Sequence, residues 1–191
     1  MSNKSLHRDN PLALLRLLQL TSPALPIGAY AYSQGLEYAT EAGWVHDEAS
    51  ARQWITGVLA HGVSRLDVPV LALLYTAWQQ HAIKRIDEWN DFLLAARESS
   101  ELKKEDTHLG GALKQLLSDL QLPAAQQWPT GKDSSFANMF ALAAVHWQIP
   151  LVDTARGYLW TWTENQVSAA IKLVPLGQVA GQRMLSAARR S

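Results

Sequence analysis

The segment from Leu20 to Trp44, LTSPALPIGAYAYSQGLEYATEAGW, constrains the fold of this chain more than any other stretch. Proline fixes φ and disfavours helical conformation in the residue before it, so Pro23 and Pro26 end the leucine-rich helix predicted upstream. Gly28 can adopt a positive φ without steric cost. The segment therefore predicts a fixed bend between two helices.

The helix that leaves this bend is predicted to run from about Ser33 to Gly43, since glycine suits the position just after a helix. The side chains at the exit of the bend and in the first turn of that helix are Tyr30, Tyr32, Ser33, Gln34 and Glu37. The helix dipole favours an acidic residue in a first turn. That explanation does not account for two tyrosines and a proline–glycine bend beside it, so we predict a binding surface here.

The rest of the chain shows helical spacing of apolar residues and almost no strand-like alternation. The leucine-rich segment after Asn10-Pro11 predicts a short, well-buried helix. Asp47 and Asp67 are predicted to cap two later helices, and the run that follows Asp67 predicts a central helix. Together these patterns predict an all-α, single-domain bundle over residues 1–191, with roughly eight to ten helices of about 11–12 residues.

Several helix boundaries are predicted in the second half of the chain. An amphipathic helix is predicted to continue through Arg97 into the charged stretch SSELKKED, which is typical of a solvated face. Gly110-Gly111 predicts a kink or a break. Pro123 to Ser135 predicts an irregular linker ending in a serine cap. A later helix is predicted to end before Pro175, which lies near the start of the last one.

Composition excludes several classes of function. The chain has 17 basic and 17 acidic residues, so no charge pattern for nucleic acid or an anionic membrane is present. Absence of cysteine excludes disulfides, thiolate catalysis and cysteine-ligated zinc. No apolar run approaches the ~20 residues of a membrane span, and no signal-like segment is present. We expect a cytoplasmic protein. Most of its eight tryptophans are expected to fill the core.

Candidate catalytic and metal sites are weak. The six histidines show no HxH, HExxH or i, i+4 spacing: His7, His46, His61, His81, His108 and His146. No GxSxG or P-loop occurs. The sequence predicts a protein that is not an enzyme, with no catalytic residue, no metal ligand and no cofactor.

A second polar group lies near the end of the chain. Four polar residues interrupt an otherwise apolar helix: Glu164, Asn165, Gln166 and Lys172. The eight-residue spacing of Glu164 and Lys172 places them on roughly one face. A satisfied internal cluster and an interface are both open interpretations. Gln178 and Gln182 follow at i, i+4 around Gly181, which indicates either tight helix packing or a surface that reads another chain's backbone.

Two long blocks carry a resemblance to a known family. SPALPIGAYAYSQGLE with EAGWV, and LWTWTENQVSAAIKLVPLGQVAGQRML at Leu159 to Leu185, resemble the two signatures of the urease accessory protein F (UreF) family. A weaker match lies between them at ARESSELKKED, Ala96 to Asp106. The resemblance covers most of the chain, and the order and separation of the blocks fit.

The resemblance implies a non-enzymatic, all-α factor for urease maturation. Such proteins form dimers and assemble with UreD (also called UreH), and the complex recruits the GTPase UreG to deliver nickel to apo-urease, whose bridging lysine must be carbamylated. It implies a scaffold, with regulation of the UreG GTPase cycle as the alternative and nickel binding as a third possibility that the sparse histidines disfavour. The partner-binding residues that it implies are Tyr32, Ser33, Gln34, Gly35, Glu37, Glu164, Asn165, Lys172, Pro175, Gly177, Gln178, Gly181 and Gln182.

Two features depart from the family pattern. Gly28-Ala29 stands where relatives often have two glycines, which reduces the freedom of the bend. Relatives also continue past the segment that resembles GQRML, whereas this sequence stops at Ser191. We therefore expect the family's C-terminal tail, which helps some relatives bind UreD, to be missing.

Overall fold

The computed structural model describes residues 11–29 and 32–188, and none of these residues lies in a β-strand. The described helices are α1 (Pro11–Leu20), α2 (Leu36–Glu41), α3 (Glu48–Val58), a π-helical segment (Leu59–Val63), α4 (Asp67–Gln79), α5 (Ile83–Ala95), α6 (Ser100–Asp119), α7 (Pro123–Gln126), α8 (Phe136–His146), α9 (Leu151–Leu173) and α10 (Gln178–Ala188). The prediction of an all-α bundle of roughly eight to ten helices is confirmed.

Helices α4, α8 and α9 form the centre of the bundle. Residues 136–144 of α8 are all buried, as expected for a helix that is apolar on every side. The Tyr75 hydroxyl of α4 donates to the carbonyl of Ile149 at 2.8 Å. Phe140 packs edge to face on Tyr158 of α9, with ring centroids 5.4 Å apart. The predicted central position of α4 is therefore confirmed.

Helix α1 begins at Pro11 as predicted, but the prediction that it is well buried is wrong. Ala13 and Leu20 are buried, and Leu17 packs against α9. The exposed leucines, with 56–62% of their surface accessible, are Leu12, Leu14, Leu15 and Leu18. The apolar face is wider than the single stripe that α9 covers. Asn10, the predicted cap, lies outside the described residues.

The prediction that Asp67 caps α4 is also wrong, because its carboxylate serves a buried ion cluster. Asp67 accepts from Arg97 at 2.7 Å and from the Tyr158 hydroxyl at 3.0 Å. The same guanidinium lies 2.8 Å from Asp106, whose other oxygen accepts from the backbone N–H of Phe136 at the start of α8. The cluster links α4, α6, α8 and α9 to the loop that holds Arg97.

The prediction that one helix continues through Arg97 into SSELKKED is wrong, because residues 96–99 form a loop between α5 and α6. Arg97 is in the loop, and the Ser99 side chain caps α6 by accepting from a backbone N–H at 3.1 Å. Gly110 and Gly111 do not interrupt α6, so the predicted break is wrong. A Cβ on Gly110 would lie 1.9 Å from the carbonyl oxygen of Ser134. Gly110 therefore allows the backbone of α6 to pack closely against the backbone at Ser134.

Other helix ends agree with the sequence more closely. Asp47 caps α3 through a capping box with Ser50, and Ser135 caps α8. Gly43 follows α2 with a φ of 76°. Pro175 precedes α10, which begins only at Gln178, so its predicted place inside that helix is wrong.

The predicted linker before α8 is mostly irregular, although it contains the four-residue helix α7. Trp128 anchors it, because the indole is buried and its Nε1 donates to the carbonyl of Lys132 at 3.1 Å. Trp78 and Trp162 are buried as well, whereas Trp44 is 59% exposed. The expectation that tryptophans fill the core holds for these three and is wrong for Trp44.

Within residues 11–29 and 32–188, no single helix combines the length and the apolar character needed to cross a membrane. Only a bent pair, Glu48–Val63 with Asp67–Gln79, passes on length and composition, and its two parts meet at 44°.

Candidate functional site

The bend after α1 is built by local hydrogen bonds and one buried anchor. The backbone N–H of Leu25 donates to Ser22 at 2.9 Å, and Ile27 is only 3% exposed. Gly28 has a φ of 72°, the positive value predicted for it. Tyr30, one of the predicted binding residues, lies outside the described residues.

The exit of the bend differs from the sequence prediction. Gln34 and Gly35 have φ values of 48° and 86°, so both lie in the left-handed region and α2 starts at Leu36. The prediction that Ser33 and Gln34 belong to the first helical turn is therefore wrong. Ser33 is buried, and its hydroxyl accepts from the backbone N–H of Glu37 at 3.3 Å. Glu37 does lie in the first turn, with an exposed side chain.

One hydrogen bond joins the two sequence blocks. The indole Nε1 of Trp162 in α9 donates to the side-chain oxygen of Gln34 at 2.5 Å. Gln34 is polar and half-buried, and Trp162 is almost fully buried. The bend is thus tied to the long central helix by the side chain of one of its left-handed residues.

Helix α6 completes this surface with two residues that the sequence analysis did not select. The ring of His108 lies 5.5 Å from that of Tyr32, and the backbone N–H of Gln34 is near enough to lower the pKa of the Glu105 carboxyl group. We call Tyr32, Gln34, Glu37, Glu105 and His108 the bend patch. Glu105 was assigned to a solvated face, but it lies three residues after Leu102 and four before Leu109. That spacing was the available signal for an inward position.

Burial perturbs the acidity of Glu105. Desolvation raises the pKa of its carboxyl group to about 7, the Gln34 backbone N–H opposes that rise, and the negative charge of Glu37 adds to it. The Oε2 atom of Glu105 is buried and has no hydrogen-bond partner among the described residues. A carboxyl group in these surroundings changes charge near neutral pH.

The second predicted group divides between the end of α9 and α10. Glu164 and Asn165 are half-buried, and burial raises the pKa of Glu164 while Trp160 opposes the shift. Lys172 is exposed. The exposed residues that follow it are Pro175, Gly177, Gln178 and Gln182.

Helix α10 combines the two interpretations that its sequence left open. A Cβ on Gly181 would lie 2.5 Å from the Cδ1 of Ile171, so this glycine allows tight packing on α9. Gln178 and Gln182 instead lie on the exposed side of the helix, together with Val179 and Arg183. We call these four exposed residues the α10 face.

The bend patch and the α10 face are separate surfaces that pack on the same long helix, α9. Trp162 holds the bend and Ile171 packs on α10, and these two residues are nine positions apart, which corresponds to about 14 Å of helical rise. Among the described residues, no group of three or more His, Asp or Glu side chains could hold a metal ion. The candidate site therefore consists of two surface regions that can contact other molecules.

Fold and site together define an all-α bundle with two candidate surface regions, the bend patch and the α10 face. Comparison with known proteins identifies the family: the model of the family UreF matches residues 45–189. The chain is 52% identical to urease accessory protein UreF of Alkalilimnicola ehrlichii over 177 residues, covering 92% of this chain and 78% of that protein. It is 51% identical to UreF of Teredinibacter turnerae, covering 91% of this chain and 78% of that protein. It is 45% identical to UreF of Chromohalobacter salexigens, covering 99% of this chain and 82% of that protein. The chain belongs to the UreF family of urease accessory proteins, so the predicted resemblance is confirmed.

Proposed function

We propose that this single helical domain is a scaffold in urease maturation, which binds UreD (UreH) and the GTPase UreG and supports GTP-dependent nickel delivery to apo-urease in the cytoplasm. Its relatives are named as urease accessory proteins. The observation that carries the proposal is the contact between Gln34 and Trp162, which fixes the bend on α9 and leaves Glu37 exposed.

Two surfaces on one rigid helix suit a bridging role. The bend patch and the α10 face are held on the same α9, through Trp162 and through Gly181. Because they are separated along that helix, two partners can occupy them at the same time. In this role the protein catalyses no reaction itself and acts by holding the partners in one complex.

Co-expression tests this scaffold directly. The chain is co-expressed with tagged UreD and with UreG, and the complex is isolated on the tag. We expect both the chain and UreG to be recovered, with UreG recovery depending on the chain. Because the relatives are longer, a full-length relative serves as the positive control. If that relative and this chain both fail to bind either protein, the scaffold proposal is wrong.

Glu37→Ala tests the bend patch as a partner surface. An acidic residue in a first turn contributes only about 0.3–1 kcal/mol to stability, so melting should change little. Loss of an interface hot spot costs about 2 kcal/mol, or roughly thirtyfold in affinity. We therefore expect reduced urease activation in a co-expression assay.

Glu41→Ala is the matched control, because Glu41 is also exposed and ends the same helix. It should leave activation unchanged. Normal activation by the Glu37→Ala protein would remove Glu37 from the surface, and unfolding of that protein would assign the carboxylate a structural role.

The alternative function is regulation of the UreG GTPase cycle. It is favoured by two exposed charged side chains, Glu37 in the bend patch and Lys172 near the end of α9. UreG turnover is measured with and without the chain, using the Glu37→Ala and Lys172→Ala variants. Unchanged turnover with bound wild-type chain would reject regulation and leave the scaffold in place.

Pairing of two copies through α1 is a further part of this proposal. Leu14, Leu15 and Leu18 form a contiguous exposed patch, which we call the α1 leucine face. Its opposite side already packs on α9 through Leu17 and Gly157. A helix held firmly on one side can bury its other side against the same helix of a second copy, as a two-fold interface requires.

Leu15→Arg should therefore abolish the dimer without unfolding the protein. The leucine is 62% exposed, so its replacement removes little packing within one copy. Light scattering after size exclusion should report a monomer with an unchanged melting temperature. Ile83→Arg, at a residue 60% exposed on α5, should leave the dimer intact. A Leu15→Arg protein that stays dimeric would place the interface elsewhere.

A further inference from the structure

The exit of the bend is a strained segment held from two sides. Gln34 has a φ of 48°, a left-handed conformation that non-glycine residues rarely adopt. Its side chain accepts from Trp162 of α9 on one side, and α6 packs on the other side, where the ring of His108 lies 5.5 Å from that of Tyr32. A non-glycine residue keeps such a conformation only where its surroundings support it, so contacts with both α9 and α6 hold the segment.

Glu105 is an unusual group to place against this segment. One of its oxygens, Oε2, is buried without a hydrogen-bond partner among the described residues. A charged carboxylate in that position loses hydration that the protein does not replace. Glu37, in the first turn of α2, adds like-charge repulsion. The neutral form of Glu105 therefore fits the closed segment better than the charged form does.

We propose that Glu105 is a proton-dependent latch on the bend patch: when protonated it keeps the Tyr32–Gly35 segment closed, and when ionised it loosens that segment. The inference deepens the proposed function, since it assigns a regulation to the surface whose partner binding is proposed above. The latch itself is a property of the isolated chain and needs no partner.

The sign follows from the direction of the pKa shift. The Glu105 pKa is about 7 in the closed structure, above the ordinary value of 4.5. A group whose pKa is raised in the closed form stabilises that form fully when the pH is below the ordinary pKa. This stabilisation is lost as the pH rises to the raised pKa. Opening of the bend should thus increase between about pH 4.5 and pH 7.

Other titratable groups face the same place. Glu37 approaches from α2 and Tyr32 from the bend itself, while His108 lies one turn after Glu105 on α6 and contacts the Tyr32 ring. From α9 the residue that reaches the bend is Trp162, which does not titrate. Histidine also changes charge near neutral pH, so the test must separate His108 from Glu105.

Hydrogen–deuterium exchange of the isolated chain measures the latch. Exchange rates of peptides covering residues 32–38 are measured for wild type and for Glu105→Gln at each pH. The ratio of the two rates is used, because the intrinsic pH dependence of exchange is the same for both proteins and cancels. Glutamine resembles the neutral acid and cannot ionise. We expect nearly equal exchange at pH 4, below the ordinary pKa of the carboxyl group, and at least threefold faster exchange of the wild type at pH 8.5. For each unit by which the Glu105 pKa falls on opening, the equilibrium constant for opening at high pH, and with it the exchange rate, increases about tenfold.

Two further variants make the outcome decisive. Glu37→Gln removes a negative charge that raises the pKa of Glu105. We therefore expect the exchange transition of residues 32–38 to move to lower pH in this variant. A move to higher pH would contradict the proposal. His108→Gln should leave the transition in place. The proposal is wrong if the wild type and Glu105→Gln exchange alike at every pH, or if the transition disappears with His108. Partner binding tested separately by co-expression distinguishes failure of the latch from failure of the scaffold.

Discussion

Gly110→Ala should destabilise the protein by about 3 kcal/mol or more. The added Cβ would lie 1.9 Å from the carbonyl oxygen of Ser134 and 2.7 Å from the carbonyl carbon of Ser135. Both atoms belong to backbone that leads into α8, so no side chain can rotate away. Overpacking of a core typically costs about 1–3 kcal/mol. Here backbone has to move, so we expect a free-energy cost at or above the upper end of that range. The expected loss is a large part of the roughly 5–15 kcal/mol that stabilises a domain.

The neighbouring glycine supplies the control for this measurement. A Cβ on Gly111 meets no atom within 4 Å, and the residue lies in the interior of the same helix. Gly111→Ala should therefore stabilise the protein by about 0.5–1 kcal/mol through helix propensity. Urea denaturation of the two variants should give shifts of opposite sign. Equal stability of both variants would show that α6 can move away from the Ser134–Ser135 backbone.

The glycine pair also shows where sequence reasoning about the fold succeeds and where it fails. Apolar periodicity is a local property, so the existence of the helices and the caps at Asp47 and Ser135 could be predicted. A contact between Gly110 and Ser134 depends on which helices become neighbours. Local patterns do not encode that information. The same limit explains the error at α1, because the number of neighbours decides how much of an apolar face is buried.

For the candidate site, the sequence indicated the bend but not the residues that hold it. The prolines and Gly28 predict a change of direction, but no local pattern indicates the left-handed conformation of Gln34 or its proximity to Trp162 and Glu105. Those two partners come from elements more than 70 residues away in the chain. Glu105 was also masked by the charged stretch around it, whose composition is typical of a solvated face.

Arg97→Met should destabilise the protein by about 3–5 kcal/mol, as expected when one partner of a buried ion cluster is removed. The Arg97 side chain is 16% exposed and those of Asp67 and Asp106 are 7% exposed. Burial by itself would lower the pKa of Arg97, but the charges of Asp106 and Asp67 raise it, so the guanidinium remains charged. Methionine fills a similar volume, which leaves uncompensated charge as the main cause of the loss.

The loss should depend on pH in a direction that identifies this cause. Burial raises the pKa of Asp106, Arg97 opposes that rise, and the charge of Asp67 adds to it. Without Arg97 the Asp106 pKa rises further, and a raised pKa removes stability as the pH increases through it. Urea denaturation of Arg97→Met should therefore show a larger deficit at pH 8 than at pH 5. Arg183→Met, which breaks the exposed pair with Glu48, should change the stability little at either pH, because water screens that pair. A deficit for Arg97→Met that is equal at both pH values would show that lost packing, rather than unpaired charge, is responsible.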